Sequence, residues 1–276
     1  MGLLKFLNAG KDQEFANALV ALLKKSTKYR DSEGGFLAEL KKSFPGAYSS
    51  LTPLGGGGAT LHILGLSNTS TGTPTGRSPV FAGIVTSTRR VGFVGAAAIN
   101  TQVGWRPNSQ GHSLSNSKDK GGFLWVVRWA NTGASNSGLR LFAGFGLSGG
   151  LISATVDPST FQSIAAFATD EADANIQFMH NDGAGNATKI NMGSDFPKNT
   201  QNLDLYEAAI YNFRNSYKVG YYIRNRATGA FRKGEVSTNI PPANTGLGWQ
   251  VTLNSGPTNA VAPEIDLVEA TEIFMP

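Results

Sequence analysis

The sequence predicts a mainly β protein, an antiparallel β-sandwich of jelly-roll type preceded by a short helical segment. Four consecutive glycines at 55–58 separate an Ala-, Leu- and Lys-rich start from a long series of short apolar runs. Gly, Asn and Pro clusters divide those runs, and no long helical pattern lies between them, which disfavours a parallel α/β sheet. The 34 glycines follow no triplet period, so they fit turns and bulges rather than collagen.

These features divide the chain into three parts. Residues 1–50 form a predicted N-terminal helical anchor, residues 51–58 a glycine-rich linker and residues 59–276 the β-sandwich body. Four glycines carry no side chain that could pack, so they predict a flexible joint.

The predicted anchor contains two helices. The first begins after the N-cap candidate Asp12 and ends near Lys28, with Leu19, Leu22 and Leu23 at helical spacing. The second covers residues 36–43 and ends before Pro45-Gly46. Helices this short need a partner surface. That surface is either the body of the same chain or another protein, and the glycine joint favours docking onto another protein.

The body contains ten predicted strands. They are short runs bounded by turn residues, at 61–66, 90–94, 122–130, 140–147, 162–168, 176–180, 205–213, 217–224, 249–253 and 265–273. Residues 205–213 and 217–224 are predicted to pair antiparallel, and further turns are expected at Asn181-Asp182-Gly183 and at 225–229. The run 122–130 is apolar on both faces, so it is expected inside the sandwich or beneath a neighbouring subunit.

Composition excludes several classes of protein. The chain has no cysteine, so it contains neither disulfides nor thiolate metal sites. The net charge of +5 divides unevenly into +3 over residues 1–50 (8 basic, 5 acidic) and +2 over the rest (16 basic, 14 acidic). A near-neutral body with a mildly basic start is weak evidence for nucleic-acid binding, because a dedicated binder concentrates Lys and Arg on one stripe. No apolar run is long enough to cross a bilayer, and the start fits neither a secretory signal nor a myristoylation signal.

No residue pattern nominates a catalytic, cofactor or metal site. The three histidines, His62, His112 and His180, lack metal-ligand spacing, and no Gly-x-Ser-x-Gly or phosphate-binding glycine motif occurs. The acidic run Asp170–Asn175 could hold calcium, but it departs from the EF-hand spacing, which favours a solvated acidic turn. Carboxylates for glycoside hydrolysis exist without any signal that pairs them, namely Asp157, Asp195, Asp204 and Glu207.

Two features could contact a sugar. Tryptophan rings stack on sugar rings; Trp125 and Trp129 are expected in the core, whereas Trp105, beside Arg106-Pro107, is the better surface candidate. The loops Asn108–Asp119 and Asn131–Ser137 are rich in Asn and Ser, which suits hydrogen bonding to carbohydrate.

Several stretches of the body between residues 77 and 274 carry a resemblance to a known family. Its most distinctive part runs from Phe178-Met179-His180-Asn181-Asp182-Gly183 to Phe196-Pro197-Lys198-Asn199-Thr200. Further matching pieces are 89–97, 121–129, 141–145, 187–190, 205–207, 238–241 and 244–245. On these residues the body resembles a family of β-rich tail-fibre, spike and other virion structural proteins of tailed bacteriophages. The resemblance implies a virion component with a β-sandwich in homo-oligomers, and no catalytic motif belongs to it.

Three functions follow as hypotheses. The first is a non-enzymatic fibre, spike or decoration subunit that is assembled in the host cytoplasm, attaches to other virion proteins through its N-terminal helices, forms homotrimers and displays the body for host adsorption. The second is a lectin-like module that binds a host glycan or receptor. The third is a depolymerase of surface polysaccharide. None of them requires a cofactor, specific nucleic acid or insertion into a membrane.

Overall fold

The computed structural model describes residues 35–42, 48–51, 68–107, 114, 122–134, 136–147 and 155–274. Over these residues the chain forms one α-helix, α1 (Gly35–Lys42), a single 3-10 turn (Pro158–Thr160) and fifteen strands. The strands are β1 (Tyr48–Leu51), β2 (Asn68–Thr71), β3 (Thr73–Arg77), β4 (Arg90–Val94), β5 (Gln102–Pro107), β6 (Phe123–Asn131), β7 (Arg140–Leu147), β8 (Ala165–Thr169), β9 (Gln177–His180), β10 (Thr188–Asn191), β11 (Tyr206–Asn212), β12 (Val219–Asn225), β13 (Phe231–Val236), β14 (Leu247–Asn254) and β15 (Glu264–Phe274).

The strands form two antiparallel sheets, which confirms the mainly β sandwich. Sheet I has the order β13-β12-β11-β6-β15-β4-β3, with β1 also paired to β15, and sheet II has the order β10-β9-β8-β7-β14-β5-β2. The predicted pairing of residues 205–213 with 217–224 is confirmed by the β11–β12 ladder. The predicted turn at 225–229 joins β12 to β13, with Gly229 at φ +80°.

Strand β15 is shared by two partners along one edge. Its first half, Glu264–Leu267, pairs with β4, and its second half, Ala270–Ile273, pairs with β1. A register shift between Leu267 and Glu269 separates the two halves. Residues 48–50, which the sequence analysis placed in the helical anchor, are therefore extended and belong to sheet I. They follow the helix-ending Pro45-Gly46, and the ladder to β15 supplies partners for their backbone hydrogen-bonding groups.

An aromatic core fills the space between the sheets. Trp105 and Trp249 lie with ring centroids 4.7 Å apart, and Trp125 lies 5.4 Å from Trp249. Trp129 contacts Tyr206 at 5.5 Å. The expected core positions of Trp125 and Trp129 are confirmed, but the surface position of Trp105 is wrong, because its side chain is only 1% exposed. Alternation along β5 turns Val103 and Trp105 inward, a pattern that the neighbouring Arg106-Pro107 obscured.

Helix α1 covers the outer face of sheet I. Its buried Phe36, Leu37 and Leu40 pack in one cluster with residues of the sheet, which are Leu124, Val126, Ala209, Tyr211, Tyr222 and Ile273. Lys41 pairs with Glu269 at 3.1 Å, and the Lys233 ammonium lies 4.6 Å above the Phe36 ring. The chain's own helix thus covers the second apolar face of β6, which explains the two-faced pattern of that strand without a neighbouring subunit.

Some predictions lie outside the described residues. They include the first helix from Asp12 to Lys28, the strand at 61–66 and the glycines at 55–58. The division of the chain at residues 51 and 58 stays a prediction. Neither α1 nor the 3-10 turn, the helical elements of the described ranges, is long and apolar enough to span a bilayer.

Candidate functional site

The loops at one end of the sandwich surround an open cleft of about 450 Å³. The antiparallel register brings them together, because β7 begins opposite the end of β14 and close to the end of β8. The cleft lies between the β6–β7 loop, the turn after β8 and the connection from β10 to β11. We call it the end cleft, and its lining residues are Ser137, Gly138, Glu171, Ala172, Asp173, Ala174, Pro197, Lys198 and Asn199.

Two features that the sequence analysis treated separately meet at this cleft. The Asn- and Ser-rich loop Asn131–Ser137 contributes Ser137, and the acidic run Asp170–Asn175 contributes Glu171 and Asp173. The other proposed sugar loop, Asn108–Asp119, lies outside the described residues except for Leu114, which is buried. The end cleft therefore unites one predicted sugar-binding loop with the predicted acidic turn.

Asn136 ties three loops together beside the cleft. Its Nδ2 donates to the carbonyl of Ser255 at 2.6 Å, and its Oδ1 accepts from the amide of Gly138 at 2.8 Å. The same Oδ1 accepts from Asn259 at 3.0 Å, while the Asn136 carbonyl accepts from Asn199 Nδ2 at 2.7 Å. These bonds fix the relative positions of Ser137, Gly138 and Asn199 before any ligand arrives.

Lys198 holds the acidic turn on the other side of the cleft in place. Its side chain is buried, and its Nζ donates to the carbonyls of Asp170 at 3.2 Å and Glu171 at 2.6 Å. Its amide donates to Ala174 at 3.1 Å, and its carbonyl accepts a short bond from Asn131 Nδ2. Burial lowers the pKa of Lys198 despite the carboxylates nearby. The lysine thus joins the acidic turn to the 197–199 stretch and to the end of β6.

The carboxylates around the cleft are held by cations. Arg140 Nε lies 2.6 Å from Asp157 Oδ1, and Arg140 Nη2 lies 3.3 Å from Glu171 Oε2. Burial acts to raise the pKa of Asp157, but the hydrogen bonds from the Glu171 amide and Arg140 outweigh it, so this pKa falls below its usual value. Lys189 Nζ lies 2.6 Å from Asp170 Oδ2 and 2.9 Å from Asp173 Oδ2.

The carboxylates considered for hydrolysis occupy different networks. Asp157 pairs with Arg140, whereas Glu207 is buried beside Arg128 at 2.6 Å and Arg226 at 3.3 Å. Asp204 accepts from Asn225 at 2.7 Å, and Asp195 is exposed. The structure brings none of the four into the lining of the end cleft. Nothing in these contacts sets up the paired acid and base that glycoside hydrolysis needs.

The histidine and metal candidates have structural explanations. His180 is buried in β9, and its Nδ1 lies 2.8 Å from the carbonyl of Asn239, so its ring has a hydrogen-bond partner within the fold. His62 and His112 lie outside the described residues. Across the part of the chain that the structure describes, no group of three or more His, Asp or Glu side chains is arranged to hold a metal ion.

Lys198 and Asn199 are site residues that the sequence did not reveal, whereas Asn136 belongs to the loop Asn131–Ser137 already named as a candidate. Lys198 and Asn199 stood inside the most distinctive stretch of the resemblance, but no local pattern gave them a role. Their partners are far away in sequence, 63 residues in the case of Asn199 and Asn136. The end cleft presents hydroxyl, amide, carboxylate and backbone groups on a preformed frame, which suits a ligand that both donates and accepts hydrogen bonds.

The comparisons with known proteins concern the fold. No protein-family model matches the sequence, and neither does any curated protein sequence. Among solved structures, a protein of unknown function from Shewanella oneidensis is similar with a TM-score of 0.54 and 13% identity, covering 86% of this chain and 93% of that one.

Two further solved structures are similar as well. The carbohydrate recognition domain of Emp47p has a TM-score of 0.52 and 12% identity, covering 82% of this chain and 95% of its own. Arcelin-5, a lectin-like defense protein from Phaseolus vulgaris, has a TM-score of 0.51 and 8% identity, covering 83% and 99%. At these identities the similarity establishes a lectin-like β-sandwich and nothing further about this chain.

Proposed function

We propose that this protein is a lectin-like module that binds a glycan in the end cleft without chemically changing it. The observation that carries the proposal is the position of a preformed polar cleft on the loops at one end of a lectin-like sandwich. The carbohydrate recognition domain of Emp47p and arcelin-5 are similar to this chain in the fold of the sandwich. The lectin-like module was the second hypothesis drawn from the sequence, and it now takes precedence over the first, the fibre or spike subunit.

The chemistry of the cleft favours neutral glycans. Sugar hydroxyls donate to carboxylates such as those of Glu171 and Asp173, and they accept from amides and ammonium groups. Four carboxylates (Asp157, Asp170, Glu171, Asp173) against three cations (Arg140, Lys189, Lys198) leave a formal charge of −1 around the cleft. A sialylated or sulfated glycan would meet net repulsion there, whereas neutral and amino sugars would not.

The test is a binding measurement on the full chain and on a variant with a blocked cleft. Ala172 is an exposed residue of the lining, so Ala172→Trp fills the cleft with an indole ring without disturbing the core. Ala184→Trp is the matched control, because Ala184 is an exposed alanine in the turn between β9 and β10, outside the lining.

We expect the wild type and Ala184→Trp to bind neutral glycans on an array with equal affinity. Ala172→Trp should bind them at least about tenfold more weakly, which corresponds to ~1.4 kcal/mol of binding free energy. Equal binding by the two variants would refute the cleft as the site. Absence of wild-type binding to any glycan, neutral or acidic, would refute the function.

We further propose that the module is displayed on a bacteriophage particle. The support is the resemblance of residues 77–274 to virion structural proteins. Because α1 packs on its own sheet, attachment to other virion proteins falls to residues 1–34, which precede the described part of the chain. Mass spectrometry of gradient-purified particles tests this setting: the protein should co-sediment with the other virion proteins, and its presence only in the host lysate would contradict it.

A further inference from the structure

The oxygen atoms of the acidic turn converge on an ammonium group. Lys189 Nζ lies 2.6 Å from Asp170 Oδ2, 2.9 Å from Asp173 Oδ2 and 3.0 Å from Asp173 Oδ1. Three carboxylate oxygens from two residues therefore surround one point within 3.0 Å. Ca²⁺ binds oxygens of this type at about 2.3–2.6 Å, so the arrangement is close to part of a calcium shell with nitrogen at its centre.

Further nitrogen donors also bind oxygens of the turn. Asp170 Oδ1 accepts from the amide of Ser159 at 2.9 Å, and Asp173 Oδ2 accepts from the amide of Asp170 at 2.8 Å. The carbonyls of Asp170 and Glu171 accept from Lys198 Nζ, as described above. Lys189 on β10 and the buried Lys198 thus both hold the acidic turn in place through hydrogen bonds.

We propose that the Lys189 ammonium takes the place of a divalent cation in the acidic turn, so that the turn and the end cleft beside it form without metal. Lys189 is then a positioning residue: it lies outside the cleft lining and acts through Asp173, which is part of that lining. Its pKa supports a permanent charge, because burial lowers it but the hydrogen bonds to Asp170 and Asp173 raise it further. The claim that the turn matters for a ligand rests on the proposed function, whereas the claim that Lys189 takes the place of a cation does not.

The proposal predicts that removal of the ammonium creates a calcium site. Lys189→Ala leaves the carboxylates of Asp170 and Asp173 facing each other around a vacated position. A site with two carboxylates should bind Ca²⁺ at about 10⁻⁴–10⁻³ M, the range of weak modules. In 10 mM CaCl₂ the Tm of this variant should rise by about 2–5 °C over its value in EDTA, given binding to the folded state alone.

The experiment compares Tm in EDTA and in 10 mM CaCl₂ for the full-length wild type and three variants (~10 mM follows from the expected affinity). Wild type should be unaffected, and so should Lys189→Arg, which keeps the charge. Lys218→Ala is the matched control, because Lys218 is 56% exposed and lies 3.9 Å from its acidic neighbour Glu235. These three should give equal values under both conditions, and Lys189→Ala alone should respond.

Three results would overturn the proposal. They are a calcium-dependent rise in the wild type, a response of Lys189→Ala no larger than that of Lys218→Ala, and saturable heat on titrating CaCl₂ into the wild type in a calorimeter. The calorimetric measurement remains a test even if Lys189→Ala does not fold, because it uses the wild type alone. No glycan is present in any of these measurements, so their failure is distinct from failure of the binding test on Ala172→Trp.

Discussion

Glu272 should make the stability of this protein fall as pH rises. Residue alternation along β15 places Glu272 on the same side as Ala270, which belongs to the core between the sheets, and its partner across the ladder is Trp125. Burial raises the pKa of this carboxyl from 4.5 to about 7. The folded state therefore keeps a proton on Glu272 that the unfolded chain releases near pH 4.5.

The magnitude follows from the difference between the two pKa values. Below pH 4.5 Glu272 is protonated in both the folded and the unfolded state, so it does not change the free energy of unfolding. Between pH 4.5 and 7 the free energy of unfolding declines, and above pH 7 the destabilisation is complete. A difference of 7 − 4.5 = 2.5 at 1.36 kcal/mol per pH unit gives about 3 kcal/mol. Glu272→Gln cannot ionise, so relative to wild type it should gain about 3 kcal/mol between pH 4.5 and pH 8.

The assay is urea unfolding of wild type and Glu272→Gln at both ends of that pH range. The matched control is Glu269→Gln on the opposite face of the same strand. Burial there acts to raise the pKa, but Arg128 and Lys41 lower it below the usual value. Ionised Glu269 therefore stabilises the folded state at neutral pH, and this stabilisation is lost in acid. The pH dependence that it causes is opposite to that caused by Glu272. A difference between wild type and Glu272→Gln that is the same at both pH values would refute the reasoning.

Two further predictions test the packing of the sheets and helix. Gly144 has φ +157°, and a Cβ on it would lie 2.5 Å from Ala166 Cα, so Gly144→Ala should lower the free energy of unfolding by about 1–3 kcal/mol. Gly146→Ala in the same strand is its control, since that Cβ would meet only ordinary contacts at 3.5 Å or more, and equal losses in urea unfolding would contradict the steric argument. Leu40→Ala should lower the free energy of unfolding by about 2–5 kcal/mol, because Leu40 is 1% exposed on the side of α1 that packs on sheet I. A loss near zero in the same assay would show that the packing of α1 on sheet I does not stabilise the protein.

Local patterns in the sequence were sufficient for the strongest strands and for the class of fold. Residues 122–130 and 140–147 were placed almost at the bounds of β6 and β7, because both runs are rich in the aromatic and aliphatic residues that favour a buried strand. Weakly patterned strands were missed, among them β3, which contains a proline, and β10, which is four residues long and mostly exposed. Their pairing comes from neighbours in the sheet, which no short window of sequence contains.

The candidate site was predicted only in pieces. The acidic run at 170–175 and the loop at 131–137 were recognised from composition, but the sequence could not show that they share a cleft. Lys189 and Asp170 are ordinary surface residue types in the sequence, and their ion pair is visible only once β10 lies beside β9.

The sequence by itself determined that the chain is an antiparallel sandwich without disulfides, since alternation, turn residues and composition act over a few neighbouring positions. The tertiary structure decided which faces are covered: Trp105 lies inside, and α1 lies on sheet I instead of on a partner. It also decided that Asn136, Glu171, Lys198 and Asn199 meet around one cleft. The physical reason is that burial and hydrogen-bond satisfaction depend on contacts between distant segments, whose closeness is set by the register of the whole sheet.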